Sequence, residues 1–170
     1  MKFLIFTLNI LLSCLVASAQ SFEGKIVYHN AIKSNMSSVT DEQFISMLGN
    51  IDNYYMKGGE YKSETNGKLI LWQLYKNKEN KLFNKLASSE TLLYNDGAVN
   101  PDSVLSSQMH HGVTNILGYN CDELILNCKS GVQKYYFSSR FPIDSKLYSR
   151  HRFGNWYAYL SLAHAIPLKM

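Results

Sequence analysis

Turn signals divide this chain into short segments at close intervals, and this spacing constrains the fold more than any other feature. Asn66-Gly67 and Asp96-Gly97 are typical of tight hairpins, because such pairs supply the positive φ angles that two-residue turns require. Further turn signals lie at residues 57–60, at residues 77–80 and at Ser130-Gly131. Short segments joined by hairpin turns predict an antiparallel sheet in which consecutive strands are neighbours.

The segments between the turns are rich in aromatic residues, which favour strands, and the chain contains 12 tyrosines. In the first segment Ile26 and Tyr28 alternate with Lys25 and His29, which indicates one buried and one solvent-exposed face. Residues 69–75 are apolar on both faces, which predicts a central strand covered on both sides. We predict strands over residues 22–33, 51–57, 60–66, 68–76, 81–86, 91–94, 113–117, 119–127 and 132–138.

Two helices interrupt this pattern. Thr40 and Gln43 form the capping box of a helix over residues 41–48. Trp156, Tyr157 and Leu160 recur at helical spacing in a second helix over residues 155–164, and a further short turn is expected within residues 142–151. The sequence therefore predicts a mainly β fold with a few helices, in which a curved antiparallel sheet or incomplete barrel packs on the helices.

The first 19 residues have the pattern of a cleavable export signal. Lys2 precedes a short apolar run, and Ala17-Ser18-Ala19 is the small-x-small sequence that a signal peptidase accepts. We therefore expect cleavage after residue 19, a single β-rich domain over residues 20–170 and a periplasmic or secreted location. A lipid anchor at Cys14 is the alternative. No later segment has the roughly 20 apolar residues of a membrane-spanning helix.

Charge and motif spacing argue against several classes of function. The formal net charge is only +4, and the basic residues are spread singly along the sequence, so we expect no nucleic-acid partner. The five histidines lack metal-ligand spacing and are expected in surface or loop positions, without a metal. Because no nucleophile motif or glycine-rich phosphate loop is present either, we predict no catalytic residues, no enzymatic activity and no cofactor.

Two cysteines, Cys121 and Cys128, follow the predicted cleavage site. An oxidising compartment would favour a disulfide between them. On one extended strand, however, seven residues span about 23 Å between the Cα atoms, whereas a disulfide requires less than about 7 Å. We therefore favour two unpaired, buried thiols and keep the disulfide as an alternative that requires a bend in the strand.

Large aromatic residues are the candidates for binding a ligand. A long antiparallel sheet with few helices tends to curl, and a curled sheet can hold a hydrophobic ligand in its opening. The alternative for each residue is an ordinary place in the core. The candidate ligand-binding residues are Trp72, Tyr119, Tyr136, Phe137 and Trp156.

Several segments resemble a family of exported proteins of unknown function from Gram-negative bacteria. Residues 116–121 resemble its Leu-Gly-Tyr-x-Cys signature, residues 54–64 its strand–turn–strand segment, and Asn155-Trp156-Tyr157 with residues 166–169 its C-terminal helix and last strand. The resemblance implies a fold similar to the periplasmic lipoprotein carriers, with an apolar concavity. Family members usually continue past residue 170, so a C-terminally truncated form is expected.

These observations lead to a ranked set of functions. The first is a periplasmic binding or carrier-like protein with an apolar groove for a lipid or another hydrophobic molecule. The second is a structural or protein-interaction module of the cell envelope, with a protein partner and no small-molecule ligand. A hydrolase or thiol enzyme using Cys121 or a histidine is the third, and it requires a polar partner beside the thiol.

Overall fold

The computed structural model describes residues 21–170, so the predicted export signal and Cys14 lie outside the described residues. A short 3-10 segment, Ser145–Tyr148, lies within the region where a turn was expected, and a second one, Phe153–Asn155, follows it. The remaining elements are β1 (Gly24–His29), α1 (Asp41–Leu48), β2 (Ile51–Lys57), β3 (Glu60–Thr65), β4 (Ile70–Lys76), β5 (Lys81–Leu86), β6 (Leu93–Asp96), β7 (Val104–Ile116), β8 (Tyr119–Cys128), β9 (Gly131–Pro142), α2 (Trp156–Ala163) and β10 (Ala165–Lys169).

The strands form two antiparallel sheets that do not close into a barrel. The first sheet contains β1 to β6 in sequence order, and the second has the order β10-β9-β8-β7. Within each sheet, strands that are neighbours in the sequence are thus neighbours in space, as the hairpin turns predict, and the chain changes sheets between β6 and β7. The mainly β, antiparallel fold class is confirmed.

One hydrophobic core joins the two sheets and α2. The first sheet contributes Tyr61 and Tyr75, the second contributes Leu124 and Leu126, and α2 contributes Tyr159. All five side chains are buried. Each sheet therefore has an inner face on this core and an outer face directed away from it.

Both predicted helices are confirmed. In α1 the Thr40 hydroxyl accepts the Gln43 N–H at 3.3 Å, and the Gln43 side chain accepts the Thr40 N–H at 2.8 Å. This capping box is local in sequence, so the helix bounds could be predicted to the residue. Helix α2 is bounded at both ends by residues with left-handed backbone conformations. Asn155 precedes the helix with a φ of 61°, and His164 follows it with a φ of 49°.

The strand predictions were wrong in extent for β7. The sequence predicted a strand only over residues 113–117, whereas β7 begins at Val104 and has 13 residues. Its added part is polar because β7 is an edge strand whose side chains are mostly exposed. Strand β10 includes Pro167, whose missing N–H is tolerated because this strand is also at an edge.

The predicted burial of β4 was half wrong. The strand is central, between β3 and β5, and Tyr75 on its inner face is fully buried. Its other face, with Trp72 and Leu74, is only partly buried, because the second sheet and α2 pack on one side of the first sheet alone. An apolar pattern on both faces of a strand therefore did not mean burial on both faces.

Gly67 permits the close approach of α1 to the turn between β3 and β4. A Cβ atom at residue 67 would lie 2.4 Å from the Leu48 carbonyl carbon and 2.6 Å from the Gly49 nitrogen. We expect Gly67→Ala to lower the free energy of unfolding by about 2–3 kcal/mol, since backbone atoms must move to relieve the overlap. Urea denaturation at constant pH measures this loss.

Gly58→Ala is the matched control for this prediction. Gly58 also lies in a hairpin turn, with a φ of 58°, but a Cβ atom there would meet nothing within 4 Å. The expected loss is about 1 kcal/mol, from the left-handed backbone alone. Equal losses for the two variants would contradict the close packing at Gly67.

Candidate functional site

The interior between the sheets is filled by aromatic rings. Tyr61, Tyr75 and His151 stack nearly parallel, with ring centroids 4.0 Å apart for Tyr75 and His151 and 5.5 Å apart for Tyr61 and Tyr75. The Tyr61 hydroxyl and His151 Nε2 share a hydrogen bond of 2.7 Å. This stack occupies the space in which a curled sheet would hold an internal ligand.

His151 lies in a loop, which is one of the positions expected for the histidines, but its side chain is buried in the core. It is 1% exposed, and burial lowers its pKa from the ordinary value of 6.5 to about 4. Its Nδ1 atom has no hydrogen-bond partner among the described residues. The sequence around His151 carries no strand or helix periodicity, so only the tertiary fold places it in the core.

Two of the five predicted ligand-binding residues pack at the core: Phe137 is buried in it, and Trp156 is partly buried against it. Phe137 and Trp156 both pack against Tyr159, with centroid distances of 6.2 Å and 5.8 Å. The Trp156 Nε1 atom is buried and has no partner among residues 21–170. These two side chains fill the interior, so they do not line an open groove.

The other three predicted residues lie apart from this pair and from one another. Trp72 is on the outer face of the first sheet, next to Lys62. Tyr119 packs against Phe141 at the start of β8, with centroids 4.8 Å apart. Tyr136 is on the outer face of the second sheet. The structure therefore does not bring the five predicted residues together.

The outer face of the first sheet carries an apolar and basic row that crosses all six strands. Its members are in direct register from strand to strand, so their side chains are cross-strand neighbours. Tyr55 is 37% exposed and Tyr94 is 54% exposed, and no described residue covers this face. We call this set the outer row: Lys25, Tyr55, Lys62, Leu74, Phe83 and Tyr94.

An open groove of about 530 Å³ lies over one end of the outer row. Tyr55 and Leu74 supply apolar surface there, and Lys57 and Lys62 supply positive charge. The remaining lining comes from Glu23, Gly24, Met56, Glu60 and Tyr61. The sequence did not single out this groove as a site. Most of its lining lies in the segment of residues 54–64, but Gly24 and Leu74 join that segment only through the sheet register.

Lysine ammonium groups lie over aromatic rings along the outer row. The distances from Nζ to the ring centroid are 5.3 Å for Lys25 over Tyr55 and 4.1 Å for Lys81 over Tyr94. Lys62 lies 5.6 Å from the Trp72 ring in the same way. Positive charge and apolar surface therefore alternate at short range on this face.

Three lysines of this face also form ion pairs, and one of them, Lys85, has its Nζ 3.8 Å from a Glu90 oxygen. Lys62 Nζ is 2.5 Å from a Glu64 oxygen, and Lys76 Nζ is 2.5 Å from a Glu60 oxygen. Because the side chains of all three pairs are partly or fully exposed to water, these pairs contribute little to stability. Within residues 21–170, Lys25, Lys57 and Lys81 form no ion pair, so their charges remain available to a ligand.

The outer face of the second sheet is polar by contrast. His110, Glu123, Tyr136 and Lys169 form a cross-strand row, in which Glu123 accepts hydrogen bonds from His110 Nδ1 at 2.9 Å and from the Tyr136 hydroxyl at 2.7 Å. These bonds, the one from His110 first, hold the pKa of Glu123 below its usual range. Glu123, His110 and Tyr136 are hydrogen-bonded to one another, and Lys169 Nζ lies 5.3 Å from the Tyr136 ring centroid. This more polar row makes the second sheet a control surface.

The cysteines are unpaired, which rules out the alternative of a disulfide between Cys121 and Cys128. Both lie in β8 as free, buried thiols. A single extended strand holds them too far apart for a bridge. Burial raises the pKa of both thiols, which is the opposite of what activates a nucleophile.

Comparison with known proteins adds no relative to this description. No family model, no curated protein and no solved structure matches the chain. Among the described helices, neither α1 nor α2 is long and apolar enough to cross a membrane. Within residues 21–170, no three histidine, cysteine or acidic side chains converge as metal ligands.

Proposed function

We propose that this chain is an exported, non-catalytic binding protein that holds a hydrophobic ligand on the outer face of the first sheet. The proposal rests on the outer row, in which the side chains of Tyr55, Leu74, Phe83 and Tyr94 follow one another across the sheet. None of the other described elements packs over this face. The signal pattern of residues 1–19 supports export.

The location of the ligand differs from the internal concavity that the resemblance implies. The inner faces of both sheets pack on one aromatic core, whereas the groove on the outer face has a volume of about 530 Å³. Small-molecule sites usually measure about 300–1,000 Å³ and combine apolar lining with a few polar groups. Tyr55 and Leu74 with Lys57 and Lys62 provide this combination.

Binding of a fluorescent fatty acid to the purified protein tests this proposal. We expect the double variant Tyr55→Ser/Leu74→Ser to bind at least about tenfold more weakly, because a buried apolar side chain contributes about 1.5–3 kcal/mol. Both side chains are partly exposed in the free protein, so the fold should tolerate the changes.

The double variant Leu105→Ser/Val132→Ser is the matched control. Leu105 and Val132 are 67% and 59% exposed and belong to the second sheet. This double variant should bind the fatty acid as strongly as the unmodified protein does. Equal weakening by the two double variants, or no binding by the unmodified protein, would refute the outer face as the ligand site.

The edge of the second sheet supports protein interaction as a second candidate function. Among the strands of residues 21–170, β7 pairs only with β8, and it exposes Leu105 and Val113 along its 13 residues. Such an edge can pair with an extended segment of another protein. Photocrosslinking from residue 105, but not from residue 72, is the result that this candidate predicts.

A further inference from the structure

We infer that the outer face of the first sheet docks on an anionic lipid bilayer, with the phospholipid headgroups meeting its lysines. This inference rests on the proposed function and names the chemistry of the ligand. The inference depends on the strand register of the first sheet, which places lysines that are far apart in the sequence on one face.

The charge of this face is positive. Side chains that alternate with the buried Met56, Tyr75 and Leu82 point outward, and the register extends this alternation to the neighbouring strands. The acidic members are Glu23, Glu60, Glu64 and Asp96. The basic members are Lys25, Lys57, Lys62, Lys76, Lys81 and Lys85. The lysines thus outnumber the acids six to four.

The residue types match a bilayer interface. Tyrosine and tryptophan favour the boundary between headgroups and acyl chains, because one part of the ring is apolar and another is polar. Lysines near an anionic leaflet are attracted to its headgroups. The Lys25–Tyr55, Lys62–Trp72 and Lys81–Tyr94 pairs place both types of group on the same surface.

The shape of the face favours a surface over a single enclosed molecule. Six strands at about 4.8 Å spacing extend the outer row over roughly 24 Å. The groove covers only the end of this row formed by β1 to β4, and Lys81 and Lys85 of β5 lie on the outer face beyond it, so a flat array of headgroups reaches lysines that one molecule in the groove does not. A bilayer presents many anionic groups at this scale, whereas one lipid presents one or two.

Vesicle cosedimentation of the mature protein tests the inference. We expect binding to vesicles of phosphatidylglycerol and phosphatidylcholine to be at least about tenfold stronger than binding to pure phosphatidylcholine. Raising NaCl to about 1 M shortens the Debye length to about 3 Å and should abolish the difference. Equal binding to the two kinds of vesicle, or no binding to either, would overturn the inference.

Matched triple variants locate the contact. Lys25→Gln/Lys62→Gln/Lys81→Gln should remove most of the preference for phosphatidylglycerol. Lys129→Gln/Lys134→Gln/Lys169→Gln, which changes the same charge in the second sheet and its turn, should retain it. Equal loss in both variants would mean that net charge alone drives binding, which contradicts a docking face.

The fatty-acid assay separates this inference from the proposed function. A protein that binds the monomeric fatty acid but no vesicle overturns bilayer docking and leaves the hydrophobic groove in place. A protein that binds neither overturns both. Urea denaturation of each triple variant checks that the fold is retained.

Discussion

Tyr75→Ala is expected to lower the free energy of unfolding by about 3–5 kcal/mol, which is the usual cost of removing a large buried ring. Tyr75 is fully buried, and its ring stacks on His151 and Tyr61. Its hydroxyl donates a hydrogen bond to Asn80 Oδ1 at 2.9 Å. Urea denaturation at pH 7 measures the loss.

Tyr94→Ala is the control from the opposite face of the same sheet. Tyr94 is 54% exposed, so we expect its removal to cost less than about 1 kcal/mol. Tyr75→Phe keeps the ring and removes only the hydrogen bond to Asn80, with an expected loss of about 1 kcal/mol. If Tyr75→Ala cost no more than Tyr94→Ala, the assignment of inner and outer faces would be wrong.

The stability of the protein is expected to fall by about 2 kcal/mol between pH 6.5 and pH 5 because of His151. Burial lowers the pKa of His151 from 6.5 to about 4, so in this range the unfolded chain binds a proton that the folded protein does not. The stabilisation is fully present above pH 6.5 and is lost as the pH falls towards 4, for a total of about 3 kcal/mol.

Urea denaturation at several pH values measures this slope. The range above pH 5 separates His151 from carboxyl groups such as Glu123, whose ordinary pKa is 4.5 and whose pKa is lowered further in the fold. His151→Phe keeps a ring against Tyr75 and should give a flatter profile in this range. An unchanged slope in the variant would show that other groups cause the pH dependence.

Local interactions made much of the fold predictable from the sequence. The capping box of Thr40 and Gln43 defined α1, and the Gly58-Gly59 turn defined the β2–β3 hairpin. Where a strand lies at a sheet edge, as β7 does, its polar residues carry no apolar alternation. The sequence therefore under-predicted its length.

The candidate site was less predictable than the fold. The two apolar faces of β4 could be read from the sequence, but an apolar face that packs and one that remains open have the same pattern. Among the predicted aromatic residues, Trp72 lies on the open face, whereas Phe137 and Trp156 fill the core. The row through Tyr55, Leu74 and Phe83 depends on cross-strand register, which the sequence did not specify.

The chain's two tryptophans allow a direct test of where the ligand binds. Trp72 lies on the outer face, and Trp156 packs at the core. The variant Trp156→Phe therefore keeps Trp72 as its single tryptophan, and the variant Trp72→Phe keeps Trp156. The measurement is quenching of tryptophan fluorescence by a brominated fatty acid. We expect saturable quenching of Trp72 and little quenching of Trp156. Quenching of Trp156 with Trp72 unaffected would contradict the outer face as the binding surface and favour an internal site.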